Sequence, residues 1–225
     1  MIDLKNKTIA EIVTADISKA AIFKKYNIDF CCGGGTTIEK ACLKANLDVN
    51  EVINDLIQEN SNNASPNLDF KSFNSSFLTD YIINVHHTYV TETIEVINEF
   101  AAKVAHVHGA HAPETVEIAE LFSELSEELL AHMVKEETIL FPAIKSKIGN
   151  KTADYDKNVV EMLEDEHEVA GNIAKKIQEL SNNFTPPDWA CNTFKALYYK
   201  LDEFISDLYQ HIHLENNILF QKIRE

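Results

Sequence analysis

The sequence has little positive charge: 20 Lys and Arg residues stand against 36 Asp and Glu residues, for a formal net charge of −16 at pH 7. Such a chain repels the phosphate backbone of nucleic acids, so we expect no nucleic-acid partner. The sequence also lacks a signal-peptide core and any apolar run long enough to cross a bilayer, so we expect no membrane partner and a cytoplasmic location. With only four Cys and no export features, free thiols are expected rather than a disulfide scaffold.

One pattern occurs twice, in residues 132–144 and again in residues 211–223: H-x-x-x-E followed by x-x-I-L-F-x-x-I. On a helix, positions i and i+4 lie on the same face, so each His and Glu point the same way beside an apolar stripe. Burying an unpaired carboxylate or imidazole is costly, and a metal ion is the obvious partner. The alternative is a surface helix with His and Glu there by chance, which two matching copies disfavour. The repeated pairs are His132 with Glu136 and His211 with Glu215.

A second helical stretch with a His precedes each copy, and the repeat offset aligns His87 with His167. His86 competes with His87, but the two differ by about 100° around a helix, and the alignment favours His87. His213 is expected to lie outside the site. The chain is therefore predicted to be all-α, with two αα-hairpins that form a four-helix bundle. The predicted helices span 74–107, 113–148, 154–181 and 188–223, with a kink at Pro142 and an end at Gly149-Asn150.

The candidate ligands exceed the four that an ordinary zinc site uses, so they suit two metal ions. Imidazole with carboxylate favours iron or manganese, although zinc competes. The ferritin-like arrangement uses Glu-x-x-His, so this H-x-x-x-E site is of a different lineage. The candidate ligands are His87, His132, Glu136, His167, His211 and Glu215.

The first 58 residues predict a module of short helices, beginning with a helix after Thr8 that has Glu11 at the capping-box position. Its chemical feature is Cys31-Cys32, followed by three Gly residues that permit unusual backbone angles. A Gly-rich backbone before a helix start offers free N–H groups, which would lower the thiol pKa and favour metal binding, disulfide exchange or iron transfer. The alternative is two small buried hydrophobic residues at a turn.

Other features of the chain carry weaker expectations. Cys42 could supply a third thiol, whereas Cys191 is expected to sit in a helix and pack. The loop with His106, His108 and His111 is expected to be solvated rather than a second metal site. The Asn-, Ser- and Pro-containing stretch predicts a linker and hence three segments. These are an N-terminal helical domain (1–58), the linker (59–73) and the bundle (74–225).

The motifs together carry a family resemblance. The stretch 23–34, which ends in Cys-Cys-Gly-Gly, resembles the ScdA-type N-terminal domain, and four helices with this His and Glu pattern resemble the hemerythrin-like fold. Over nearly its whole length the chain resembles the RIC family, the di-iron proteins for repair of iron centres.

This resemblance implies a non-haem centre of two Fe ions, bridged by two carboxylates and an oxo group. It implies that Glu136 and Glu215 bridge the irons. Glu128, one turn before His132, and Glu166, beside His167, are candidates for orienting the ligands or for an iron path. The terminal ligands implied are His87, His132, His167 and His211.

The function implied is repair of iron–sulfur clusters damaged by nitrosative or oxidative stress, through iron donation, with Cys31 and Cys32 helping the transfer. The partners would be damaged iron–sulfur proteins, with NO or O2 as small ligands. One alternative is an NO reductase that uses the same site, and another is an NO- or O2-binding protein without turnover. A third alternative is a purely structural helical bundle whose core histidines are satisfied by hydrogen bonds and bind no metal. The client proteins, the electron donor and a homodimeric state are left open.

Overall fold

The computed structural model describes residues 4–59, 68–147 and 157–224, and all of its regular elements there are helices. The predicted all-α class is confirmed. The predicted helix end at Gly149-Asn150, the start of the third bundle helix at 154 and most of the linker lie outside the described residues. Within the described part, no helix combines the length and the apolar character needed to span a bilayer.

The helices, in chain order, begin with four short ones, and the later series includes the four longest. The short helices are α1 (Ile9–Ala15), α2 (Ala20–Lys25), α3 (Ile38–Ala45) and α4 (Val49–Glu59). The later helices are α5 (Ser75–Ile82), α6 (Thr88–His108), α7 (Glu114–Lys135), α8 (Phe141–Lys147), α9 (Lys157–Leu180), α10 (Asn192–Leu214) and α11 (Phe220–Arg224). Three π-helical segments interrupt the series: π1 (Ile83–His87), π2 (Glu136–Leu140) and π3 (Glu215–Leu219).

The chain divides into two compact units, residues 79–208 and residues 1–78 together with 209–225. In the first, α6 packs on α7, and α7 packs on α9. Phe204 of α10 joins them, with ring centroids 5.1 Å from Phe122 of α7 and 6.2 Å from Tyr89 of α6. The apolar side chains of these helices are buried at helical spacing, which explains why this part of the chain forms a helical bundle.

The unit that contains the N-terminus has local capping signals that the sequence predicts. The Thr8 hydroxyl accepts from the Glu11 N–H (3.1 Å), and Glu11 Oε2 accepts from the Thr8 N–H (2.8 Å), so the predicted capping box forms. Thr37 caps α3 in the same way through the Lys40 N–H. Val13, Phe23 and other apolar side chains from these helices form a small core.

The last bundle helix begins later than predicted, at Asn192 rather than 188. Before it, Asn182, Asn183 and Phe184 all adopt positive φ, between 49° and 57°. The Ser181 hydroxyl accepts from the Phe184 N–H (3.0 Å) and stabilises this turn. Regular helical structure begins only at Asn192, several residues after Pro186 and Pro187.

Candidate metal centre and thiol loop

Glu136, the first residue of π2, has a fully buried carboxylate (0% exposed). Its Oε2 lies 3.3 Å from His87 Nε2, and its Oε1 lies 3.4 Å from His132 Nε2. Among the described residues, neither oxygen accepts a hydrogen bond. A buried carboxylate that faces two imidazole nitrogens without a hydrogen-bond donor is stable only if a cation or a proton neutralises it.

His167 of α9 extends this cluster. Its Nε2 lies 2.9 Å from Nε2 of His132, and ligand atoms of His132, Glu136 and His167 all lie within 4.8 Å of one another. All three side chains are buried. The donor set of imidazole nitrogen and carboxylate oxygen is one that iron accepts.

The opposite nitrogens of these imidazoles are held by carboxylates. His87 Nδ1 lies 2.7 Å from Glu137 Oε1, and His132 Nδ1 lies 2.9 Å from Glu166 Oε2. These bonds place the proton on Nδ1 and leave the Nε2 lone pair facing Glu136, as in metal-binding His–carboxylate pairs. Glu137 is 43% exposed and was not predicted from the sequence. The sequence signal that could have pointed to Glu137 is its position directly after Glu136, a candidate ligand.

Glu166 also accepts from the Lys135 ammonium. Burial alone would raise the pKa of Glu166, but the bonds from Lys135 and His132 outweigh it and hold the pKa below its usual value. Glu166 therefore stays ionised as the acceptor for His132. Glu128, the other residue named from the sequence for a supporting role, is exposed on α7.

The neighbouring histidines His86 and His87 have different partners. His87 faces Glu136, whereas His86 Nδ1 lies 2.9 Å from Asp207 Oδ1. Both are buried, so burial alone does not distinguish them. The signal in the sequence that distinguishes them is the alignment of the two repeats, which pairs His87 with His167.

In the other unit, His211 Nε2 lies 3.2 Å from Glu215 Oε1, and both side chains are buried. Glu215 is the first residue of π3, just as Glu136 is the first residue of π2. His213, two residues after His211, contacts the Phe30 carbonyl and the Thr14 hydroxyl instead, each at 3.3 Å.

The three π segments begin or end at a candidate ligand, and sequence reasoning missed all of them. π1 ends at His87, while π2 and π3 start at Glu136 and Glu215. A π turn holds one more residue than an α turn, so it redirects side chains locally without breaking the helix, and such turns are frequent at functional sites. Pro142 is the second residue of α8, just after π2, so the helix is interrupted by a π segment before the proline.

The thiol loop, defined here as residues 29–34, has its backbone donors occupied by its own Asp29. Asp29 Oδ1 accepts from the N–H groups of Cys31 (2.9 Å) and Cys32 (3.0 Å), and its Oδ2 accepts from Gly33 (2.8 Å). The backbone N–H groups that were expected to favour the thiolate form therefore donate to the Asp29 carboxylate instead. An Asp shortly before a glycine turn was a signal for this motif.

The expected low pKa is wrong for Cys31. The hydrogen bond to Cys32, burial and the Asp29 charge raise the pKa of the Cys31 thiol well above its ordinary value. The two sulfurs are 3.8 Å apart, and Cys32 is half-buried. Ligand atoms of Asp29, Cys31 and Cys32 lie within 4.8 Å of one another, whereas Cys42 is buried on α3 and its pKa is raised by burial.

The glycines of this loop serve close packing rather than unusual backbone angles. No described glycine has a positive φ. A Cβ on Gly34 would lie 2.8 Å from the Phe30 carbonyl oxygen and 3.0 Å from Asn217 Oδ1, whereas one on Gly35 would meet nothing within 4 Å. The expectation of unusual angles is therefore wrong, and the requirement at Gly34 is steric.

Cys191 differs from its prediction. It is exposed and precedes α10, so it is neither helical nor packed, and its Sγ lies 3.3 Å from His108 Nε2. His106 and His108 lie in the last turn of α6 rather than in the predicted loop, and His106 and His111 are exposed. In the described part of the chain, these three histidines belong to no group of three metal-ligating side chains.

Two family models match the chain. The hemerythrin HHE cation binding domain matches residues 79–223, and a domain of unknown function, DUF542 or ScdA_N, matches residues 5–60. The first range includes all six candidate ligands. The hemerythrin-like domain and the buried His and Glu groups indicate a non-haem iron site.

Curated relatives align over nearly the whole chain. The iron-sulfur cluster repair protein ScdA of Staphylococcus haemolyticus is 32% identical over 95% of this chain and 96% of its own length. The iron-sulfur cluster repair protein YtfE of Enterobacter sp. is 35% identical over 97% and 96%. YtfE of Yersinia pseudotuberculosis is 34% identical over 98% and 97%.

Proposed function

Because this chain belongs to the family of ScdA and YtfE iron-sulfur cluster repair proteins, we propose that it is a di-iron protein that repairs damaged clusters by donating iron. Its clients would be iron–sulfur proteins damaged by nitrosative or oxidative stress, met in the cytoplasm, with NO or O2 as small ligands of the iron. The names of the relatives support the repair role.

Two Fe ions, with carboxylate and oxo bridges, are the proposed cofactor. Glu136 and Glu215 would bridge them. The sequence repeat supports this division, because each half supplies one Glu against an imidazole within its own unit. When bound in the ferrous state, these two ions would themselves be the iron that is transferred. The proposed terminal ligands are His87, His132, His167 and His211.

The observation that carries the proposal is the carboxylate of Glu136, which is buried, accepts no hydrogen bond from the described residues and faces the Nε2 atoms of His87 and His132. Glu137 and Glu166 hold the far sides of these rings, so the protein fixes their orientation before metal arrives. This preorganisation supports the proposal that the site binds iron.

The domain division that we propose assigns thiol chemistry to the N-terminal domain (1–58) and iron binding to the bundle (74–225), with residues 59–73 as linker. Glu128 remains proposed for an iron path on the basis of its position one turn before His132. Cys31 and Cys32 are proposed to receive iron on its way to the client.

The ligand assignment is tested by the double variant Glu136→Gln with Glu215→Gln. We expect it to lose bound iron and repair of an NO-damaged [4Fe–4S] enzyme, because an amide cannot replace a bridging carboxylate. Glu124→Gln, an exposed change on α7, is the matched control and should keep both. Wild-type iron content in the double variant would refute the ligand assignment.

The thiol role is tested by Cys31→Ala with Cys32→Ala in one chain. We expect iron content and the iron absorption spectrum to match wild type, because neither side chain is a proposed bundle ligand. Repair of the same damaged enzyme should be lost. Full repair by this variant would remove the thiols from the proposal and leave the iron site standing.

A further inference from the structure

Asn217 joins the thiol loop to the segment that carries a candidate iron ligand. It lies in π3, two residues after Glu215. Its side-chain Nδ2 donates to the carbonyl oxygen of Cys31 at 2.8 Å and lies 3.5 Å from that of Phe30. All of these residues belong to the same compact unit, so this contact is internal to it.

His213 lies beside the Asn217 amide. Its Nδ1 lies 3.1 Å from Asn217 Nδ2 and 3.3 Å from the Phe30 carbonyl oxygen, and its Nε2 lies 3.3 Å from the Thr14 hydroxyl. The His213 ring is fully buried. The ring therefore covers one side of the Asn217 nitrogen, whose hydrogen bond goes to the Cys31 carbonyl oxygen.

The other end of the amide also faces this loop. Asn217 Oδ1 is 3.0 Å from the position that a Cβ on Gly34 would occupy, so this side chain packs closely on the glycine. The side chain thus sits against Cys31 and Gly34 at once. Replacing the amide by a carboxylate would keep this shape but place an anionic oxygen against the Cys31 carbonyl.

We propose that Asn217 is a positioning residue for the two thiols. Its amide holds the Cys31–Cys32 pair beside π3, which begins with Glu215, so that the thiols and this candidate ligand stay together in one compact unit during iron transfer. The inference rests on the proposed iron donation and names Asn217 as the residue that positions the receiving thiols. The transfer starts from the ferrous form of the iron pair, so each thiol that binds ferrous iron releases one proton and no electron moves.

Two substitutions separate a donor role from a packing role. Asn217→Ala removes both the donor and the volume, whereas Asn217→Asp keeps the volume and turns the donor into an acceptor. If the N–H donor positions the loop, the Asp variant is the more disruptive; if packing does, the Ala variant is. Gln221→Glu is the matched control, because it adds the same charge at an exposed position of the same C-terminal segment.

The measurement is the rate at which iodoacetamide labels Cys31 in the full iron-loaded chain, followed by mass spectrometry. Loss of one hydrogen bond should speed labelling about five-fold in Asn217→Ala and further in Asn217→Asp. Iron content should stay at the wild-type level in both, while ferrous iron transfer to an apo-ferredoxin should slow in the same order. Gln221→Glu should match wild type in all three measurements.

Several results would overturn the proposal: wild-type labelling in both variants, faster labelling in Ala than in Asp, or loss of iron from either variant. The last would mean that Asn217 supports the metal ligands rather than the thiols. If the wild-type chain donates no iron at all, the proposed function fails, while the order of labelling still decides whether Asn217 positions the loop.

Discussion

At the scale of single residues, the carboxylates behind the imidazoles matter as much as the ligands. Glu166 bonds His132 Nδ1 and is itself held by Lys135. Because this arrangement fixes which nitrogen of His132 is free to bind metal, its loss should weaken binding without removing a ligand.

Glu166→Ala should therefore lower iron affinity by about 10–100-fold, which competition with a ferrous chelator would measure. Glu168→Ala, an exposed change on the same helix, is the control and should bind as wild type does. Equal affinity in the two variants would show that His132 needs no carboxylate to orient it.

Gly34 and Gly35 offer a matched pair in one short stretch. Gly34→Ala places a Cβ 2.8 Å from the Phe30 carbonyl oxygen, so the backbone must shift, whereas Gly35→Ala meets nothing within 4 Å. We expect the first to cost about 1–3 kcal/mol in unfolding free energy by urea denaturation, as overpacking does. We expect the second to be close to neutral. Similar stabilities would contradict the close approach.

At the scale of elements, the helices and their caps could be predicted because their signals are local. The Thr8 capping box, the bundle helices and the H-x-x-x-E pairs all follow from spacing along one helix. The turn of three residues at positive φ after α9 could not, because asparagine and phenylalanine adopt that conformation only when tertiary contacts require it. The environment of Cys31 was mispredicted because Asp29 fills the backbone donors that glycines were expected to leave free.

The π segments were also beyond sequence reasoning, since a single shift in the helical spacing cannot be told from the ordinary scatter of a hydrophobic pattern. Their placement at His87, Glu136 and Glu215 implies that they aim the ligands. Deleting the exposed Thr138 should convert π2 into a regular helical turn.

The Thr138 deletion should therefore keep the far-ultraviolet helical signal but bind less iron, measured by metal analysis after loading. Thr138→Ala keeps the chain length and should load as wild type does. Full iron loading of the deletion variant would mean that the π turn has no role in ligand placement.

At the scale of the whole molecule, the chain forms two compact units, and α10 begins in one and ends in the other. The unit with the N-terminus holds the thiol loop together with His211 and Glu215. The other holds His87, His132, Glu136 and His167. The C-terminal segment therefore carries one copy of the H-x-x-x-E repeat and, within the same unit, contacts the thiol loop through Asn217.

The most direct test of iron donation follows the metal itself. The protein is loaded with ⁵⁷Fe and mixed anaerobically with an NO-damaged [4Fe–4S] enzyme in a medium that contains natural-abundance iron. Donation predicts that ⁵⁷Fe appears in the rebuilt cluster by Mössbauer spectroscopy as enzyme activity returns. A rebuilt cluster without ⁵⁷Fe, with the label still on the protein, would contradict iron donation.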